Sequence, residues 1–258
     1  MILVDKKKVA NIPLLEIVQN ELIDRAVPTV FFFHGFTSAK EHNLHYAYLL
    51  AEKNIRVVLP EADLHGERSR NISMEEQALA FWQIILKNID ELGLLKDEYV
   101  NRHLTVENQI GVVGTSMGGI TTFGALCKYD WITAAVSLMG NPAYHHFARY
   151  LVAELQSQGH EIPYSEQQLE GEYQKLLPVD LSMQPEKLNN RPLLFWHGKK
   201  DPVVPYTYAY EFYQKVKGSY EHPEHIQFIL DNHAGHKVSR KGLLATVEWF
   251  NKYLHQKS

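Results

Sequence analysis

Residues 109–126 read QIGVVGTSMGGITTFGAL, and this stretch decides the fold. Ile110 to Val113 is a short apolar run without polar alternation, the pattern of a strand buried on both faces. Gly114-Thr115-Ser116-Met117-Gly118-Gly119 follows, and the chain then reads as a helix to about Lys128. Glycine loses more conformational entropy on ordering than any other residue. Glycines crowded around one serine therefore mark a turn with no room for side chains. Gly114, Ser116 and Gly118 fit G-x-S-x-G, a strained strand-to-helix turn with the serine exposed at its top. The helix N-terminus behind it aims its dipole and the Met117 N–H at any negative charge formed nearby.

The rest of the chain alternates in the same way. LLEIVQN (14–20), TVFFFH (29–34), IRVVLP (55–60), TAAVSLMG (133–140), PLLFWHG (192–198) and IQFIL (226–230) read as strands. Ser73 and Glu76 form a capping box that opens a helix with Ala78, Trp82, Ile85, Ile89 and Leu92 on one face. Gly93 is the expected stop. A last helix carries Leu243, Val247, Phe250 and Leu254 on one face. Apolar strands alternating with helices imply a mostly parallel sheet covered on both faces.

In open sheets of this kind, ligands bind beyond the carboxyl ends of the strands, where Ser116 is placed. A serine hydroxyl needs a base, and the base needs an orienting carboxylate, in the chain order Ser, acid, His. HGKKDPVVP (197–205) offers Asp201 after one strand, and DNHAGHKVS (231–239) offers His233 and His236 after the next. Asp231 is the other acid, but it shares its loop with both histidines. Asp201 lies one strand earlier, where the acid is expected. His236 follows Gly235 and immediately precedes the last helix, and it is preferred over His233. HGF at 34–36 ends another strand, and the Phe36 N–H is the candidate second donor to an oxyanion beside that of Met117. His34 and His197 read as loop-holding residues.

Composition narrows the function. The chain has 258 residues, 45% hydrophobic and 22% charged, enough for one large α/β domain spanning 1–258. A net charge of −4 gives no reason to expect nucleic acid or an anionic membrane as partner. The single cysteine, Cys127, precludes an internal disulfide and reads as a core residue. No signal peptide and no transmembrane run is read, so a cytoplasmic protein is the default. His145-His146 and the pair His222 and His225 invite a metal. Adjacent helical residues point about 100° apart, and the second pair lacks a clear third ligand, so no metal is expected.

HGF (34–36), EADLHGERS (61–69), GTSMGG (114–119), HGKKDPVVP (197–205) and AGHKV (234–238) together resemble an α/β-hydrolase over nearly the whole chain. It is similar to the small bacterial serine esterases of the YitV/YjfP type, related to prolyl oligopeptidases and dienelactone hydrolases. The resemblance implies an eight-stranded, mostly parallel sheet flanked by helices. It also implies a triad of Ser116, Asp201 and His236, oxyanion donors at Phe36 and Met117, and hydrolysis of small-molecule carboxylic esters without a cofactor. Prolyl oligopeptidases carry a large N-terminal propeller, whereas these strands begin almost at once, so peptidase activity is not implied. DLHGERS differs from the family's D-x-x-G-H-G-x-S loop, and Glu67 with Arg68 reads as a solvated ion pair at the cleft mouth.

Residues 141–190 break the rhythm. They hold two helical patterns, about 143–158 and 165–177, where one crossover helix would suffice. A helical cap over the sheet is the economical reading, with Tyr144, Phe147, Tyr150 and Tyr173 as rings that could line a substrate pocket beneath it, Tyr144 and Phe147 first among them. A thioesterase, peptidase or amidase on the same scaffold is the nearest alternative. A catalytically silent, ligand-binding hydrolase fold is the more distant one, and an intact triad argues against it. The oligomeric state is not encoded in any motif.

Overall fold

Eight strands form one sheet in the computed structural model, which describes residues 1–159 and 161–255. His160, inside the expected cap, and residues 256–258, at the end of the expected domain, lie outside the described residues. The strands are β1 (Ile2–Val9), β2 (Ile12–Gln19), β3 (Val27–Phe33), β4 (Arg56–Pro60), β5 (Thr105–Thr115), β6 (Ala134–Leu138), β7 (Leu193–Gly198) and β8 (Ile226–Asp231). Their order is β1-β2-β4-β3-β5-β6-β7-β8. The first two neighbour pairs are antiparallel and the others parallel.

The helices are α1 (Leu44–Ala51), α2 (Met74–Leu79), α3 (Phe81–Asn101), α4 (Met117–Lys128), α5 (Tyr144–Ser157), α6 (Glu166–Gln174), α7 (Tyr206–Val216) and α8 (Arg240–Leu254). Strand side chains alternate between faces, and β3 shows the consequence. Val30 and Phe32 pack with Leu50 of α1 and Phe250 of α8. Phe31 and Phe33 pack on the other side with Ile89 of α3 and Phe123 of α4. Both faces are therefore core, which is why the central strands read as continuous apolar runs.

The parallel strands all end on one side of the sheet. From β3 the chain moves outward to β4 and then returns to β5 on the other side of β3. The order reverses between β3 and β5, so a crevice opens between the loops that follow them. These are the loops of His34-Gly35-Phe36 and of Ser116.

Two readings are corrected and one strand is added. Ser73 caps as expected, but the helix it opens is only α2, which ends before Ala80 (φ −83°, ψ 3°), and α3 starts anew at Phe81. Gly93 does not stop a helix. It lies within α3, where a Cβ would come 2.6 Å from the Tyr129 hydroxyl. That hydroxyl donates to the Ile89 carbonyl oxygen at 3.0 Å, so the glycine makes room for a tyrosine from the α4 side. The edge strand β1 was not read, because ILVDKKKV is half solvated and rich in lysine.

Among the described residues, 141–190 contains α5 and α6 and no strand. This segment is fastened to α4. The Tyr144 hydroxyl donates to the Ile120 carbonyl oxygen and accepts the Gly124 N–H at 2.9 Å. No helix is long and apolar enough to cross a membrane.

Candidate active site

Ser116 sits between β5 and α4 with φ 54° and ψ −115°, a conformation that costs a non-glycine residue about 1–3 kcal/mol. Its surroundings hold it there. The Ser116 N–H donates to the Leu138 carbonyl oxygen at 2.8 Å, tying the elbow to the end of β6. A Cβ on Gly114 would lie 2.6 Å from the Gly118 Cα, and one on Gly118 would run into the Phe33 carbonyl. The two glycines let β5, α4 and β3 meet at backbone contact distance. The serine, by contrast, is partly exposed.

His236, on the loop between β8 and α8, reaches back to it. Its Nε2 is 2.9 Å from Ser116 Oγ, and its Nδ1 is 2.7 Å from Asp201 Oδ2. The Asp201 side chain is fully buried, while His236 keeps 24% of its side chain exposed. The other oxygen of Asp201 accepts the N–H groups of Val203 and Val204 at 2.9 and 3.0 Å. His197 Nε2 lies 3.4 Å from Oδ2 and 2.9 Å from the Val204 carbonyl oxygen. Burial alone would raise the Asp201 carboxyl. Bonds from His197, His236 and the two backbone N–H groups outweigh it and hold the acid far below the ordinary carboxylate range. Asp201 is thus an anion facing the imidazole edge opposite the serine.

The structure brings together the three residues expected on separate strand ends, and it separates them from the alternatives. Asp231 Oδ1 accepts the N–H groups of His233 and Ala234 at 3.0 and 3.2 Å and so shapes its own loop. His233 is exposed.

The loop after β3 closes on the serine from the other side. A Cβ on Gly35 would lie 3.5 Å from Ser116 Cβ. Among the described residues, neither the Phe36 N–H nor the Met117 N–H has a hydrogen-bond acceptor. The Phe36 ring packs edge-on against His65 and Phe81, at 5.5 and 5.6 Å between centroids. An aromatic series continues through Trp82 to Tyr144 and Phe147, and from Phe147 to Tyr150 and Tyr208.

Tyr144 and Phe147 are buried in the core. They are 0% and 2% exposed, and Tyr144 is bonded into α4. Partly exposed rings stand at Phe36, Phe81, Trp82, Tyr150 and Tyr208. One-sided helical spacing cannot separate a pocket wall from a core contact, and of the four rings expected beneath the cap only Tyr150 is partly exposed.

Glu67 and Arg68 also part company. Arg68 makes a two-pronged bond to Glu91, at 2.7 Å for each oxygen, and donates to the Glu61 carbonyl oxygen. Glu67 instead pairs with Lys6 at 2.9 Å and with the buried ammonium of Lys40 at 2.7 Å. Lys40 also meets Glu61 at 2.5 Å and Glu41 at 3.0 Å. Glu41, Glu61 and Glu67 are close enough together to hold a metal ion, but the Lys40 ammonium supplies their positive charge.

Known proteins resemble this chain over most of its length. The sequence profile of the prolyl oligopeptidase family matches residues 87–257. The chain is 53% identical over 255 residues to "Putative esterase YitV" of Bacillus subtilis (strain 168), covering 98% of this chain and all of that one. It is 28% identical over 258 residues to "Esterase YjfP" of Escherichia coli (strain K12), with the same coverage. Among solved structures, TT1662 from Thermus thermophilus superposes over the full length of both chains with a TM-score of 0.77. At 16% identity that likeness carries the fold alone, the α/β-hydrolase fold.

Proposed function

Because the chain belongs to the prolyl oligopeptidase family and is an esterase-type hydrolase, we propose that it hydrolyses carboxylic esters through an acyl-enzyme on Ser116. The observation that carries this reading is the unbroken relay from Asp201 through His236 to Ser116, at 2.7 and 2.9 Å. Asp201 only accepts hydrogen bonds, so His236 carries its proton on Nδ1 and leaves Nε2 free to take one.

The cycle follows from these positions. His236 Nε2 removes the hydroxyl proton as Ser116 Oγ attacks the ester carbonyl. The buried Asp201 anion stabilises the imidazolium and keeps the ring in place. The N–H groups of Phe36 and Met117 receive the oxyanion, assisted by the positive end of the α4 dipole. The tetrahedral adduct collapses as His236 gives its proton to the leaving alcohol. Water then enters and loses a proton to His236 as it attacks the acyl carbon; the second adduct collapses as His236 returns that proton to Ser116 Oγ, and the acid leaves.

The substrates of this reading are small and fairly apolar. The rings of Phe36, Phe81 and Trp82 lie beside the proposed oxyanion donor and offer dispersion contact and few hydrogen bonds. The α5–α6 segment acts as a cap that completes this wall through Tyr150. The test is a time course with p-nitrophenyl esters of increasing acyl length, on wild type and Ser116→Ala. Wild type is expected to turn over short esters with an initial burst, and Ser116→Ala is expected to be inert. An inert wild type, or a Ser116→Ala variant of equal activity, overturns the reading.

A further inference from the structure

The imidazole of His34 is 1% exposed, and the proposed cycle gives it no proton to move. Its Nδ1 lies 2.8 Å from the Gly35 carbonyl oxygen, and its Nε2 lies 3.0 Å from the Ala62 backbone nitrogen. A carbonyl oxygen only accepts, so Nδ1 carries a proton. A backbone N–H only donates, so Nε2 is the acceptor. Glu61 Oε1 also stands 3.2 Å from Nε2. That carboxylate already has the Lys40 backbone N–H and ammonium, whereas the Ala62 N–H has no other acceptor among the described residues. His34 therefore carries a proton on Nδ1, and the Gly35 carbonyl oxygen accepts it.

The consequence lies one peptide further on. The Gly35 C=O and the Phe36 N–H belong to a single trans peptide plane and point in opposite directions. Whatever holds the carbonyl oxygen sets the direction of the N–H. Two donors hold it, the Nδ1–H of His34 and the Ser38 N–H at 3.1 Å. The next peptide is held as well. The Thr37 N–H donates to His65 Nε2 at 3.0 Å, and His65 Nδ1–H donates to the Asp63 carbonyl oxygen at 2.8 Å. Burial lowers the proton affinity of the His65 imidazole and so keeps that acceptor lone pair available. Thr37 itself has φ 60°, a conformation it would not hold unsupported.

We propose that His34 is a positioning residue: through the Gly35 carbonyl it fixes the direction in which the Phe36 N–H points, with His65 holding the peptide that follows. Rotation of the Gly35–Phe36 plane would turn a carbonyl dipole toward the developing anion. The inference rests on the esterase reading, in which Phe36 supplies an oxyanion donor.

Two near-isosteric variants separate this role from simple packing. Asparagine can place an N–H where Nδ1 stands, and glutamine can place an oxygen where Nε2 stands. His34→Asn keeps the donor to Gly35, and His34→Gln keeps the acceptor for Ala62. The loss expected for one oxyanion donor is about 10²–10³ in kcat. With p-nitrophenyl acetate, His34→Gln should lose about 10²-fold in kcat with KM little changed, and His34→Asn should recover at least tenfold of that loss. The Ki of an alkyl trifluoromethyl ketone, whose serine adduct carries an oxyanion, should rise in step with the loss in kcat/KM. Wild-type kcat in His34→Gln, or equal losses in both variants that track their Tm, overturns the inference. If His34→Gln does not fold, the same split is read on His65. His65→Leu should lose kcat without KM and His65→Gln should restore most of it, and a His65→Leu variant with wild-type kcat overturns the inference. An inert wild type, or an active Ser116→Ala, would instead strike the esterase reading itself.

Discussion

Asp201 Oδ2 lies 2.7 Å from His236 Nδ1, on a carboxylate that is wholly buried and whose other oxygen accepts two backbone N–H groups. An acid so held orients the imidazole and stabilises its charged form. Replacing it with asparagine keeps the shape but offers His236 a group that can donate, which favours the wrong tautomer. Asp201→Asn should lower kcat by about 10⁴-fold, the size of effect that this change produces in a serine protease. Asp231→Asn, on a residue that only shapes its own loop, should stay within about tenfold of wild type. Steady-state kinetics on one p-nitrophenyl ester checks both. Similar losses in the two variants would reassign the acid.

Much of the site was legible because its residues sit at strand ends, where local pattern and fold rule coincide. Ser116, Asp201 and His236 each follow an apolar run directly, and the order of those runs along the chain is the order the chemistry needs. What was not legible depends on contacts between distant segments. Gly93 matched a helix stop, yet its reason is a tyrosine 36 positions later. Glu67 and Arg68 are neighbours in sequence, yet one turns to Lys40 and the other to Glu91. No local pattern records which partner a long charged side chain will find.

Tyr144 shows the same limit from the core side. Its hydroxyl lies between the Ile120 carbonyl and the Gly124 N–H, within α4. Tyr144→Phe would remove both bonds, and the Gly124 N–H and Ile120 carbonyl oxygen, four residues apart in α4, can then bond each other, so the cost should be about 0.5–1.5 kcal/mol. Urea unfolding should show that loss, with KM for short esters unchanged. A raised KM at unchanged stability would return Tyr144 to the pocket.

Two glycines of opposite kinds test the elbow. A Cβ on Gly114 meets the Gly118 backbone, and neither chain can yield without moving β5 or α4. Gly114→Ala should cost at least about 1–3 kcal/mol through overpacking and disturb Ser116, with activity falling more than stability. Gly171 lies within α6, and a Cβ there meets nothing within 4 Å. Gly171→Ala should raise stability by up to about 1 kcal/mol, because alanine is the better helix former. Thermal unfolding of the two variants should shift in opposite directions. A neutral Gly114→Ala would show that the turn does not need its close approach.

Acid stability should turn on the buried cluster beside the loop that carries Phe36. Burial would raise the Glu61 carboxyl, but the Lys40 ammonium bonded to it prevails and brings it down. A carboxyl depressed on folding stabilises the native state above its unfolded value. That contribution fades as pH falls from the ordinary glutamate range, near 4.5, through the lower folded value. Asp201 is shifted in the same direction and adds to the slope. Wild type should therefore lose stability steeply below about pH 4.5. Glu61→Gln cannot titrate at that position, and it leaves Lys40 with only Glu41 and Glu67. It should be less stable than wild type at pH 7, with a shallower fall toward pH 3. Urea midpoints measured at pH 7, 5, 4 and 3 give both slopes, and parallel curves would mean that Glu61 carries no linked proton.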